Sequence, residues 1–264
     1  MNILILSCMA ALRNVLYFPS MESDNPYVPE NLIMIDSKTG IARLRERLEE
    51  GMSEFCFSSR FTQVLLHRYC YHGFLPMAVN ISGIPLLALK LHQARVLLKP
   101  GDVQIPKSTL KKFASCQLTV DCAFDQCVRS INETHADSWL SPELVNLFAK
   151  TRARKKKGKV RLHSVELWRD ATLIAGEIGY TVGSSYTSLT GFRTENSSGK
   201  AQLYALGKLL AASGFHLWDL GMYTPYKIDI GGRLYSRDAF LHIQSMVRDR
   251  CARFSKLTPL LGDM

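Results

Sequence analysis

The sequence predicts a mixed α+β fold in two parts, a smaller α/β unit over 1–113 and a larger unit over 114–264. Three observations carry this. The 264 residues suffice for one large domain or two small ones. Helical and alternating apolar patterns follow one another along the chain. The second half also orders itself as strand, helix, helix, three-stranded meander, helix and strand.

In the first half, residues 20–31 are turn-rich. Leu44 and Leu48 lie four apart beside Arg43, Glu46 and Arg47, which predicts a surface helix over 40–51 stopped by Gly51. A second helix is expected over 59–72, closed by Gly73 and Pro76. Leu86 to Leu98 is rich in aliphatics and is expected to include a strand. Pro100-Gly101-Asp102 is a turn, and Lys107 to Phe113 a short basic helix.

In the second half, Gln117–Val120 reads as a strand and Cys122–Ile131 as a helix. Ser141-Pro142 is an N-cap followed by proline at the first helical position, so a helix runs to about Lys150. Arg161–Trp168, Ala171–Ile178 and Ser184–Leu189 form an antiparallel meander, turning at Arg169-Asp170 and again between Gly179 and Gly183. Ser197–Ala212 is a helix ended by Gly214, and Phe215–Leu220 a strand. Ser236 caps a last helix reaching about Phe254.

Hydrophobic content of 47% and charged content of 21% are those of an ordinary globular chain. No run of about 18 apolar residues predicts a membrane span. The apolar start Met1–Leu12 lacks a basic segment before it and reads as a core strand or N-terminal extension rather than a secretion signal. Seven cysteines, odd in number and without a Cys-x-x-Cys pair, read as reduced thiols of a cytoplasmic protein, with no metal site expected. Net charge is +10, and eight basic residues with no acid fall between Lys150 and Arg161. Such a block suits a polyanion, or is a solvated loop or an import signal.

The element order of the second half resembles the core of the Gcn5-related N-acetyltransferases, in which the strands flanking the main helix splay apart and leave a cleft. A more specific resemblance lies in the residues themselves. His163-Ser164-Val165-Glu166-Leu167-Trp168, Phe192-Arg193 with Asn196 and Lys200, and Trp218-Asp219 stand in the order of motifs in the leucyl/phenylalanyl-tRNA–protein transferase family. Tyr17-Phe18-Pro19, Gly73-Phe74-Leu75-Pro76, Leu118–Phe124, Ser138-Trp139-Leu140, Gly231-Gly232-Arg233 and Phe240-Leu241 extend the likeness over about 17–241. The resemblance implies transfer of Leu, Phe or Met from an aminoacyl-tRNA to the N-terminal α-amine of a protein, within an N-degron route of degradation. It implies no cofactor, and a monomer is expected. Three positions depart from the family pattern. Ser188-Leu189-Thr190-Gly191-Phe192 stands where the family has a glutamate, Gly221 where it has a glutamine, and Met77 where it has a tryptophan.

Candidate residues follow from this resemblance. Asp219, at the end of a strand, is the first candidate catalytic carboxylate, to hold the incoming amine and take its proton. Its plain alternative is a turn cap. Glu177, on the central meander strand, could replace the missing glutamate, or simply face outward. Phe74, Leu75, Met77, Trp139, Tyr186 and Ser188 are candidates for the amino-acid pocket, or else core. Lys107, Lys111 and Lys112 on one helix, with Arg193 and Lys200 at a helix start, are candidates for tRNA phosphates. An acyl-CoA-dependent N-acyltransferase and a non-catalytic tRNA-binding relative are the alternative readings.

Overall fold

A computed structural model describes residues 32–135, 138–153, 158–255 and 260–263. The apolar start, Tyr17-Phe18-Pro19, the turn-rich 20–31 and the centre of the basic run, 154–157, lie outside the described residues.

The chain runs α1 (Ile41–Glu50), β1 (Phe55–Ser58), α2 (Gln63–Tyr71), β2 (Leu75–Ile81), β3 (Ile84–Lys90), β4 (Ala94–Leu98), α3 (Lys107–Lys112) and β5 (Gln117–Val120). It continues as α4 (Phe124–Thr134), α5 (Pro142–Arg152), β6 (Val160–Arg169), β7 (Thr172–Val182), β8 (Ser185–Arg193), α6 (Ser198–Ala212), β9 (Leu217–Asp219), α7 (Pro225–Asp229), β10 (Arg233–Ser236) and α8 (Arg237–Val247). The mixed α+β class is as expected.

Local chemistry sets most boundaries. Ser141 and Ser236 each accept a backbone N–H of the first helical turn, from Leu144 and Ala239. Thr62 does the same for α2 through Leu65 and fixes its start at Gln63 rather than 59. Helix α4 buries Phe124, Cys127, Val128 and Ile131, the i, i+3, i+4, i+7 stripe of an amphipathic helix.

Two sheets result. The smaller has the order β1-β3-β2 and the larger β10-β4-β9-β8-β7-β6-β5. All neighbours in the larger sheet are antiparallel except β8 and β9, which run parallel because α6 crosses between them. The aliphatic stretch 86–98, expected to include a strand, holds most of one and the whole of a second. Strand β3 pairs in the small sheet, and β4 is hydrogen-bonded between β9 and β10 of the large one. A strand assigned by chain order to the 1–113 unit thus lies inside the large sheet. Pro76 does not break the chain. It sits in β2, an edge strand, where a missing N–H is tolerated.

The meander turns later than expected. Strand β7 continues to Val182, and only Gly183, at φ +59°, lies in the turn. Gly179 is inside the strand, because the Tyr186 ring of β8 lies across it and leaves no room for a Cβ. The last helix ends at Val247, not near Phe254.

Helix α6 covers one face of the large sheet over Val165, Ile174, Tyr186 and Trp218. Helices α4 and α5 cover the other over Leu162, Ile178 and Tyr180. Strands β8 and β9 pair at only three positions, Ser185–Leu217, Tyr186–Trp218 and Thr187–Asp219. Strand β8 then continues to Arg193, still paired with β7, while β9 ends, and the sheet opens between β8 and β9.

Candidate active site at the splay of β8 and β9

Asp219 is the last residue of β9 and is wholly buried. Its Oδ2 receives Arg95 Nη1 at 2.5 Å and Thr187 Oγ1 at 3.4 Å, and its Oδ1 receives the Gly221 N–H at 2.9 Å. The Gly221 backbone is left-handed, at φ +73°, which suits the glycine found there. Arg95, on β4, is equally buried. It also donates to the Gly73 carbonyl and stacks over the Phe240 ring, with its guanidinium carbon 4.2 Å from the centroid. A carboxylate offers about four acceptor sites, and three are taken here, leaving one on Oδ1.

Glu177 does not face outward. It lies on the α6 side of the sheet, opposite Asp219, and accepts Tyr186 Oη at 2.8 Å, Ser188 Oγ at 2.7 Å and Gln202 Nε2 at 3.2 Å. Burial raises its pKa above the usual carboxylate range, and those three donors oppose the rise. Ser188 in turn receives Trp218 Nε1 at 2.9 Å. Register slips by one residue here, since Ile178 faces Thr190 while Gly179 faces Ser188, so Leu189 is the extra residue of a bulge. Glu177 therefore reaches, from the neighbouring strand, the serine that stands in the segment where a family glutamate is expected.

A third charged group was not singled out by sequence reasoning. Lys227 of α7 is 9% exposed, and its Nζ donates to the Met222 carbonyl at 2.9 Å. Burial lowers its pKa to about 8, while Asp219 and Glu177 both act to raise it. A lysine in a turn-rich segment gives no sequence signal of burial. Arg95 was missed for a similar reason, since it hides in an aliphatic strand.

The six candidate pocket residues are not gathered in one place. Phe74, Leu75 and Trp139 share the cluster that includes α4 and α5. Met77 packs instead against the apolar face of the small sheet. Tyr186 is buried beneath α6 with Ser188 beside it, both bonded to Glu177. Of the first group, Leu75 comes nearest the splay, 3.9 Å from where a Cβ on Gly221 would stand.

Of the five basic candidates, Lys112 and Arg193 meet at Asn196. Lys107, Lys111 and Lys112 are exposed on α3, which packs against α6. Lys112 Nζ donates to the Asn196 carbonyl and Arg193 Nη1 to the Asn196 Oδ1, both at 3.3 Å. The Arg193 side chain lies along the first turn of α6, where Lys200 also sits. Glu166 and His163 have structural partners. Glu166 accepts Thr119 Oγ1 and the Ala123 N–H, and His163 bridges Asp121 and Thr181. Among the described residues no cluster of three or more His, Cys, Asp or Glu could hold a metal, and no helix is long and apolar enough to cross a membrane.

The sequence model of the leucyl/phenylalanyl-tRNA–protein transferase family matches residues 97–245, more than half of the chain. A leucyl/phenylalanyl-tRNA–protein transferase of Chromohalobacter salexigens is 27% identical over 175 residues, 64% of this chain and 65% of that protein. One from Shewanella woodyi is 27% identical over 190 residues, 70% of this chain and 77% of that protein. The matched region thus spans about two thirds or somewhat more of these relatives' length. Among solved structures, a Gcn5-related N-acetyltransferase from Anabaena variabilis aligns with a TM-score of 0.36 at 12% identity, over 74% of this chain and 47% of that one. One from Kribbella flavida aligns at 0.34 and 12%, over 76% and 74%.

Proposed function

The chain belongs to the leucyl/phenylalanyl-tRNA–protein transferase family, and on that premise we propose that it moves an amino acid from an aminoacyl-tRNA to the α-amine of a protein N-terminus. The match over 97–245 carries this reading. It takes in Glu177, Asp219, Lys227, the three lysines of α3, Arg193 and Lys200. The reaction would serve an N-degron route, in the cytoplasm, with the enzyme acting as a monomer and the transferred residue being Leu, Phe or Met.

The chemistry asks little of the protein. The aminoacyl ester is already activated, and a neutral α-amine is a competent nucleophile, so positioning supplies most of the rate. The basic surface around Asn196 would take the phosphates of the acceptor end, and the splay between β8 and β9 would take the ester. Asp219 and Glu177 would offer acceptor oxygens to the incoming amine at the opening. With Asp219 already bonded to Arg95, its part is to hold the amine through Oδ1 rather than to carry its proton away.

The test is incubation with a fully charged, radiolabelled aminoacyl-tRNA pool and peptides that differ at their first residue. Label in a peptide identifies donor and acceptor together. Bound tRNA without transfer would make the chain a binding relative and refute the enzymatic reading.

A further inference from the structure

Resting on the transfer reaction above, the geometry points to Lys227 as the proton donor to the leaving ribose oxygen. When the tetrahedral intermediate collapses, the carbon–oxygen bond to the ribose breaks and the departing oxygen must gain a proton. Four buried charged side chains lie at or beside the splay, and Arg95, Asp219 and Glu177 are each engaged. Asp219 is ion-paired to Arg95. Glu177 accepts from Tyr186, Ser188 and Gln202. Of the two cations, Lys227 is the one with protons to give. It forms no ion pair with a carboxylate among the described residues, and its one hydrogen bond, to the Met222 carbonyl, leaves two of its three protons free.

Its placement suits the task. Asp219 and Glu177 lie on opposite faces of the sheet, and Lys227 Nζ is held on the Met222 carbonyl, three residues past Asp219 in the segment that follows β9. A lysine this buried gives up its proton far more readily than one in water, yet near neutral pH it still mostly carries it. Efficient general acids lie near the working pH.

The balance closes. The neutral α-amine attacks the carbonyl carbon, a C–N bond forms, and the nitrogen becomes positively charged. The ester C–O bond breaks, and the ribose oxygen takes the proton of Lys227. The proton shed by the nitrogen restores the ammonium of Lys227, leaving an amide and a free ribose hydroxyl.

The experiment compares the wild type, Lys227→Met and Lys227→Arg with two donors: the aminoacyl-tRNA, and an activated aryl ester of the same amino acid whose leaving group departs as a stable anion. Acceptor α-amines titrate near 7.7–8.0, so their loss of a proton raises the rate up to about pH 8. Loss of the Lys227 proton should lower it above about pH 8. The wild type should thus show a bell with the tRNA donor. Both variants should lose the falling limb, since methionine has no proton and arginine keeps its own. Their rates should drop about 100-fold or more with aminoacyl-tRNA, and by only a few-fold with the aryl ester. Unchanged melting of Lys227→Arg separates chemistry from folding. An equal loss with both donors, or a variant that keeps the bell, overturns the role of Lys227 while the transfer reading stands. A wild type that transfers nothing from tRNA overturns that reading, and the role of Lys227 with it.

Discussion

Arg95 and Asp219, 124 residues apart in sequence, form an ion pair in which neither side chain is exposed. The pair joins β4 to the end of β9, beside the residues that follow into α7. Through its second guanidinium nitrogen Arg95 also ties in the Gly73 carbonyl, at the start of the small sheet's β2 segment. Removing one partner of such a pair leaves an uncompensated buried charge, which costs about 3–5 kcal/mol. Arg95→Met should therefore destabilise the protein by about that much in urea titration. Asp219→Asn keeps the shape and one acceptor oxygen, but it leaves the buried Arg95 guanidinium without a counter-charge and should cost at least as much as Arg95→Met, whose orphaned carboxylate can take up a proton. If Arg95→Met melts like the wild type, the pair is not what holds the splay.

The basic surface around Asn196 makes a quantitative prediction. Each phosphate that the protein no longer neutralises should flatten the salt dependence of tRNA binding by about 0.7–0.9 in log–log slope. Lys111→Glu with Lys112→Glu should weaken binding and lower the slope by about two such steps. Lys159→Glu lies near the opposite end of β6, a 10-residue strand and so about 30 Å away, and should leave the slope nearly unchanged. Equal effects from both changes would show diffuse attraction and no site.

The second half of the chain was legible because its signals are local. Ser141-Pro142 and Ser236 mark helix starts, and the alternation in 161–168 marks a half-buried strand. The first half was harder. The break between β3 and β4 falls at Leu91, His92 and Gln93, which carry no glycine or proline, so the passage from one sheet to the other leaves no local mark. The candidate site divides in the same way. The lysines of α3 and Arg193 could be grouped by family likeness, and of these Lys112 and Arg193 meet at Asn196. Arg95 and Lys227 could not be found, because the burial of a charge depends on partners far away in sequence.

Gly179 shows how one residue type can carry two meanings. Glycine in a strand marks either a turn or a close approach, and here the Tyr186 ring makes the approach. A Cβ at 179 would also stand 2.6 Å from the Thr187 carbonyl oxygen, which the sheet holds in place. Gly179→Ala should cost about 1–3 kcal/mol as overpacking. It should also push Tyr186 away from Glu177 and so impair transfer beyond the loss of stability. The same substitution at Gly40, where φ is −69° and no atom lies within 4 Å of where a Cβ would stand, meets no such crowding and should leave transfer intact. Comparable losses of activity at both positions would show that the Tyr186 approach is not the cause.

Acid sensitivity should come in part from Glu54. Its carboxylate pairs with Lys90 at 3.2 Å and accepts the Gln93 N–H. Burial works to raise its pKa, but hydrogen bonding to His92, the charge of Lys90 and the Gln93 N–H outweigh it and hold the pKa at about 2. A folded-state pKa below the unfolded value of 4.5 means that the unfolded chain binds the proton more tightly. The stabilisation is fully present above about pH 4.5 and is lost as pH falls through about 2. At about 1.4 kcal/mol per unit, these contacts together contribute about 2–3 kcal/mol after allowance for partial exposure. Glu54→Gln should lower stability at pH 7 by that order and flatten the stability profile between pH 4.5 and 2. Denaturant unfolding at about pH 7, 4 and 3 reads both effects. A variant whose acid profile parallels the wild type would assign the acid sensitivity to other carboxylates.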